Sequence, residues 1–234
     1  MIALGLEASA RVASVALMLG ESFELGEHDL ILLQAEKGAA RGLAPAIQQI
    51  LRRQGLRPAD LDLIAVSLGP GGYTGTRLAL ATAKTISWVL GIPILGVPST
   101  EALAAHPSLP SGPILVALDA RKGLLYGARY SRRPGRPPQE IEAPFLRPAA
   151  EIARGLESGV HVVGDGSAQV RKLAGTDVSG DDKCVQTARE VLFIAAARYS
   201  RGEQDRERDL LPLYLRPSEA EILWEQRRLE RPPG

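Results

Sequence analysis

Ile2-Ala3-Leu4-Gly5-Leu6-Glu7-Ala8-Ser9-Ala10-Arg11 has a counterpart in Ile114-Leu115-Val116-Ala117-Leu118-Asp119-Ala120-Arg121-Lys122-Gly123. Each is a short apolar run that ends in an acid and enters a tight turn. A second strand follows each turn, Val12 to Leu19 in one case and Leu124 to Tyr130 in the other. Outward from the first copy, Leu30 to Leu33 reads as a third strand. Leu43, Ala46, Ile47, Ile50 and Leu51 recur with the spacing of one helix face. Leu63 to Leu68 is a buried strand, about Thr74 to Leu90 a second helix ended by Gly91 and Pro93, and Ile92 to Val97 a strand. Outward from the second copy come a Pro/Arg-rich loop, a helix near Ala149 to Leu156, a strand Val160 to Val163 and a helix near Thr187 to Tyr199. The shared order predicts an internal duplication, two α/β lobes each with a mixed sheet and flanking helices. Two unrelated α/β lobes are the alternative.

The chain has 234 residues, 45% hydrophobic and 24% charged, enough to bury roughly 70–75% of its unfolded surface. With two Trp, five Tyr and three Phe, aliphatic side chains must do the packing. Twenty-eight basic residues against 27 acidic ones argue against a non-specific nucleic-acid coat. The single cysteine, Cys184, excludes an intramolecular disulfide and a Cys-rich zinc site. The start lacks a basic n-region, and the longest apolar stretch, Val89 to Val97, is broken by Gly91, Pro93 and Gly96. A soluble, cytoplasmic protein without a membrane partner is expected.

Leu68-Gly69-Pro70-Gly71-Gly72-Tyr73-Thr74-Gly75-Thr76-Arg77 is the sharpest local signal, a glycine-rich turn from a buried strand into a helix. It lacks the Gly-Lys-Ser/Thr ending of a Walker A loop and the third Gly of the dinucleotide fingerprint. Anion binding at a helix start and close packing of helix on strand both remain open for it. The helix beyond is apolar on nearly all sides, with Arg77, Lys84 and Ser87 as a narrow polar strip. Gly75, Ala79 and Ala83 form a small-residue stripe that lets another helix approach closely, with its cover supplied by the chain itself or by another chain. His28, His106 and His161 are far apart and offer no helical metal pair. Arg129, Arg132, Arg133 and Arg136, beside Tyr130, read either as a phosphate-contacting loop or as a solvated connection.

Gly69-Pro70-Gly71-Gly72-Tyr73-Thr74-Gly75-Thr76-Arg77-Leu78 resembles the GPGSFTGLRIG motif of the bacterial TsaB (YeaZ) family. Ala81-Thr82-Ala83-Lys84, Leu90-Gly91-Ile92-Pro93, Gly96 to Leu103, Asp119 to Gly123 and Pro212-Leu213-Tyr214-Leu215-Arg216 extend the resemblance over most of the chain. It implies the duplicated ribonuclease H-like/actin-like (ASKHA) fold: an N-terminal lobe over 1–100, a degenerate second lobe over 101–216, and a C-terminal segment 217–234. It also implies a role beside the catalytic paralogue TsaD and the ATPase TsaE. Their product is threonylcarbamoyladenosine next to the anticodon of tRNAs reading codons that begin with A.

On this resemblance the expected function is a non-catalytic scaffold that reaches tRNA through the complex. The docking face is expected to be Leu43, Ile47, Ile50, Leu51, Leu78, Ala79, Ala83, Ile86 and Trp88, self-pairing into a homodimer when no partner is present. Ala83→Glu is expected to break that association and leave the monomer folded. The alternative is an ATPase or phosphotransferase of the ASKHA type. Its nucleotide site would use Glu7, Ser9, Asp119, Gly164 and Gly166, with magnesium between the two strand-end acids. No cofactor is required on the scaffold reading, although ATP and magnesium could sit at a subunit junction. Two stretches depart from the family pattern. Glu7-Ala8-Ser9-Ala10 stands where members have Asp-Thr-Ser-Thr, and Ala39-Ala40-Arg41 where many have His-Ser-Glu.

Overall fold

Two five-stranded sheets with the same strand order make up the molecule, a computed structural model that describes residues 1–20, 29–33, 42–175 and 178–216. His28, Ala39-Ala40-Arg41 and residues 217–234 lie outside the described residues. The first lobe runs β1 (Ile2–Glu7), β2 (Ala13–Leu19), β3 (Asp29–Leu33), α1 (Leu43–Arg53), β4 (Leu63–Ser67), α2 (Tyr73–Leu90), β5 (Ile94–Val97) and α3 (Ser99–Ala104). The second repeats it as β6 (Gly112–Asp119), β7 (Leu124–Arg132), β8 (Gln139–Pro148), α4 (Ala149–Arg154), β9 (His161–Val163), α5 (Ser167–Ala174), β10 (Gly180–Asp181) and α6 (Ala188–Tyr199). The sheets are ordered β3-β2-β1-β4-β5 and β8-β7-β6-β9-β10. In each, the first three strands are antiparallel and the last two run parallel to the first. Two lobes of matching topology are the duplication expected from the paired acid-and-turn stretches.

Helices cover both faces of the first sheet, so β4, Leu-Ile-Ala-Val-Ser, is buried at every position. α1 lays Leu43, Ala46, Ile47, Ile50 and Leu51 on one face, and α2 lays Thr76, Ala79, Leu80, Ala83 and Ser87 beside them. The opposite face belongs to α6, which arrives from the other half of the chain. It comes so close that a Cβ at Gly5 would meet the Leu192 Cγ at 2.6 Å and the Ala188 carbonyl at 2.7 Å. Thr187 and Glu190 cap α6 reciprocally, and the Ser14 hydroxyl accepts its Ala188 N–H at 2.9 Å. In exchange, α3 leaves the first lobe to pack on β6 and β7, where Thr100 and Tyr130 share a buried hydrogen bond of 2.9 Å. The expected 101–216 lobe is therefore corrected: α6 and Leu210 complete the core of the first lobe.

Another correction concerns the Pro/Arg-rich loop. β7 continues to Arg132 and β8 occupies most of what was read as a connection. Arg129 pairs with Glu142 at 3.2 Å, and the buried Arg132 donates to the Pro107 carbonyl at 3.5 Å. Those cations and Tyr130 belong to a sheet, so the phosphate-contacting loop reduces to Arg133 and Arg136.

α2 is welded at its start to the turn between β1 and β2. The Gly72 N–H donates to the Ser9 carbonyl at 2.7 Å. A Cβ at Gly71 would sit 2.4 Å from that same oxygen, and one at Gly75 would sit 1.9 Å from the Ala8 carbonyl. Close packing is thus the use of these glycines, and Gly75-Ala79-Ala83 is covered by the chain's own turn and sheet. Gly69 contributes differently, through a positive φ of 83°.

Two outcomes follow for stability. Gly75→Ala should destabilise the fold by about 2–4 kcal/mol, whereas Gly72→Ala, whose Cβ would stand 3.4 Å from the nearest atom, should cost under about 1 kcal/mol; denaturant melts check both. Glu101, in the first turn of α3, is pushed up to about 7 chiefly by burial. Arg198 and Arg201 oppose that rise, while Glu140 and Glu203 add to it. Its proton leaves the unfolded chain first, so stability falls as pH rises from the ordinary carboxylate range to about 7 and is level beyond. Glu101→Gln should raise Tm by about 2–6 °C at pH 8 and leave it nearly unchanged at pH 4.

Candidate functional site

A cleft of about 980 Å³ opens between the lobes. Its near wall is Ser9, Ala10 and Arg11 of the first turn with Gly69 to Tyr73 and Thr76. The far wall is the equivalent second turn, Asp119 to Arg121, with Asp165 and the stretch from Asp182 to Gln186. Arg121 and Lys122 hold left-handed φ values of 64° and 55°, which makes the second turn tight enough to face the first.

The alternative reading set magnesium between the strand-end acids Glu7 and Asp119; of the two, only Asp119 lines the cleft. Glu7 is fully buried and turned back into its own turn. One carboxylate oxygen accepts the Ser9 N–H, the Ser9 hydroxyl at 2.6 Å and the Ala10 N–H at 3.1 Å. Burial raises its pKa, and those hydrogen bonds oppose the rise. Asp119 instead borders the cleft, where one carboxylate oxygen accepts the Arg121 N–H at 2.8 Å. Its own N–H donates to Asp165 at 2.8 Å. One oxygen of each carboxylate is thus taken up by donors of its own turn, while the Glu7 Oε2 is buried without a hydrogen-bond partner. Glu7 is sealed from the cleft, so of the two acids only Asp119 is positioned to meet a magnesium-nucleotide pair there.

Ser9 lines the cleft, and its hydroxyl lies 3.3 Å from both Ser67 and the Gln186 amide. Gly164 and Gly166 serve packing. A Cβ at Gly164 would meet the Ala117 carbonyl at 2.5 Å, and the Gly166 N–H donates to that carbonyl at 2.9 Å. Among the described residues no three or more His, Cys, Asp or Glu side chains gather where they could hold a metal ion. His106 and His161 each bond a neighbouring serine, Ser108 at 2.8 Å and Ser179 at 3.0 Å. Among the described residues no helix is long and apolar enough to cross a membrane.

The other candidate surface is the outside of α2. The expected docking residues divide here. Leu43, Ile47, Ile50, Leu51, Ala79 and Ala83 are buried against the first sheet and offer nothing to a partner. Ile86 is half-buried on the same core, while Leu78 and Trp88 face outward. Trp88 is 75% exposed, and Val89 beside it, which periodicity had not singled out, is 65% exposed. The polar strip divides too: Arg77 stands exposed, while Ser87 is buried and Lys84 half-buried. Ser87 donates to the Ile92 carbonyl at 2.7 Å and Lys84 to the Leu210 carbonyl at 3.2 Å, so both are satisfied within the chain. Ala83→Glu would therefore place a charge in the core and unfold the lobe. Thr74 stands exposed in the first turn of α2, and Pro70 lines the cleft. At the head of the helix, Arg77 lies 4.0 Å above the Tyr73 ring and 5.3 Å from that of Tyr214, near the described C-terminal end.

The family model of TsaD, tRNA N6-adenosine threonylcarbamoyltransferase, matches residues 34–224. The tRNA threonylcarbamoyladenosine biosynthesis protein TsaB of Bacillus subtilis is 32% identical over 185 residues, 77% of this chain and 80% of that protein. TsaB of Haemophilus influenzae is 24% identical over 95% of both chains. Among solved structures, YeaZ from Pseudomonas aeruginosa superposes with a TM-score of 0.80 at 24% identity, over 92% of this chain and 99% of that one. That likeness shows the fold, the duplicated ribonuclease H-like/actin-like architecture that the two sheets display. By sequence, the chain belongs to the TsaB (YeaZ) family, within the wider group that the TsaD model describes.

Proposed function

We propose that the protein serves tRNA threonylcarbamoyladenosine biosynthesis as a non-catalytic subunit, docking a TsaD-type catalytic paralogue on the outer face of α2. The observation that carries this reading is Trp88, 75% exposed beside Val89 with Leu78 on the same side. An exposed tryptophan in an apolar patch is the side chain most often found to anchor an interface. Neither α1 nor α2 contains an Asp or Glu, while Arg52, Arg53 and Arg77 stand exposed on them. The surface thus suits an apolar helix rimmed by acidic residues. The relatives' names supply the pathway, and the orientation of Glu7 supports the absence of catalysis.

On this reading a TsaE-type ATPase joins the pair, any ATP and magnesium sit at a subunit junction, and tRNA is reached through the complex in the cytoplasm. In isolation the same face self-pairs, but weakly, because it sets one basic, acid-free helix pair against another. One observation favours the ATPase alternative: Asp119 does border the cleft.

Trp88→Ala should weaken binding to a TsaD-type paralogue by about 30-fold or more, at about 2 kcal/mol for a central aromatic, with the Tm of the lone chain held. Calorimetry reads it, and an unchanged affinity would remove α2 from the interface. Raising salt should loosen the heterocomplex and tighten the self-pair. ATP turnover by the lone chain, if any is measured, should be unaffected by Asp119→Ala; its loss in that variant would favour the enzyme reading.

A further inference from the structure

The described chain ends on a strap that touches three parts of the molecule in turn. Leu210 is buried in the first core, its side chain filling the space a Cβ at Gly96 would need, 2.7 Å away. Its carbonyl accepts the Lys84 ammonium of α2 at 3.2 Å. Three residues on, the Leu213 N–H donates to the Leu68 carbonyl at 2.8 Å, beside the glycine turn. The Tyr214 ring stacks on Tyr73 with centroids 5.4 Å apart, and its hydroxyl accepts the Arg77 Nε–H. Arg216 then crosses to the second lobe, where its guanidinium donates to the Ala120 carbonyl at 2.7 Å. Pro212, Leu213, Tyr214 and Arg216 line the cleft on the way.

The outward side of the strap is apolar. Leu211 is 71% exposed and Tyr214 46%, alongside the exposed Tyr73 and Leu78 of α2. Exposed apolar surface on the strap therefore adjoins that on the helix, and the strap from Leu210 to Arg216 carries no acid. A partner covering α2 alone would leave Leu211 and Tyr214 in water at the rim of its own footprint.

We propose that the docking face is a composite of α2 and the strap 210–216, and that a partner seated on it is felt across the cleft at the turn Asp119–Gly123. The inference rests on the reading that a TsaD-type subunit docks on α2, and it names the same occupant, an apolar helix with an acidic rim. The physical link is continuous. Whatever holds Tyr214 against Tyr73 and Arg77 also holds the backbone leading to Arg216, and Arg216 pins the second turn through Ala120. Coupling of this kind is reciprocal, so releasing the strap at Arg216 must weaken docking by the factor that docking quiets the turn.

Hydrogen exchange on the full chain tests it, alone and with the TsaD-type paralogue, in the wild type and in Arg216→Ala and Tyr214→Ala. In the isolated chain, Arg216→Ala should speed exchange across the Asp119–Leu124 peptide, including the Leu124 N–H now bonded to Arg121, by about threefold or more. In the wild type, the partner should slow exchange in both α2 and that peptide. In Arg216→Ala it should slow α2 alone, with affinity about three- to tenfold lower; Tyr214→Ala should lose more, having lost contact surface as well. A partner that protects α2 while leaving 119–124 untouched in the wild type overturns the coupling, as does an Arg216→Ala chain that docks and protects like the wild type. A partner that fails to protect α2 overturns the docking reading and the composite face with it, and the α2 peptide tells that failure apart.

Discussion

The Ala8 carbonyl occupies the place where a side chain at position 75 would begin, 1.9 Å from that imagined Cβ. With Gly71 against Ser9 and the Gly72 N–H on the Ser9 carbonyl, this contact presses the head of α2 onto the first turn and helps set how the helix is rotated. Given that rotation, Thr76, Ala79, Leu80, Ala83 and Ser87 must face the sheet, and Leu78, Trp88 and Val89 must face away. The exposed patch is thus a consequence of close backbone packing some residues distant. The same contact takes up the Gly72 N–H, one of the donors that an anion at the helix start would use.

Duplication organises the rest. Gly164 and Gly166 press on Ala117 much as Gly71 and Gly75 press on Ser9 and Ala8, and each half sends its last helix to the other half's sheet. Exchange of α3 and α6 means that neither lobe has a complete core alone. The halves differ where chemistry would need them alike. Glu7 is folded into its turn with Ser9, while Asp119 stays at the cleft edge. The cleft therefore has one inward and one outward acid and is bordered by a strap from the same chain.

Much of this was legible in the residues. The paired runs ending in Glu7 and Asp119, each followed by a turn and a strand, expose a duplication because side-chain pattern and turn chemistry are local. The bounds of α1 and α2 follow from one apolar stripe and from Gly91 and Pro93. β8 was hidden because it is an edge strand with no fully buried residue and with charges that read as a loop. The phase of α2 was hidden because a helix apolar all round has no periodic signal to orient it. Its few polar groups give no orientation either, since Ser87 and Lys84 satisfy carbonyls of the chain while Arg77 stands exposed. The destination of α6 and the inward turn of Glu7 are tertiary facts, and no spacing within either segment encodes them.

Photo-crosslinking from position 88 tests the central claim most directly. A chain carrying benzoylphenylalanine in place of Trp88 should, on mixing with a TsaD-type paralogue and irradiation, form one covalent heterodimer. The same probe at Ile141, exposed on β8 of the other lobe, should form none. Cross-linking from position 141 and none from 88, in a mixture that still modifies tRNA, would contradict the account.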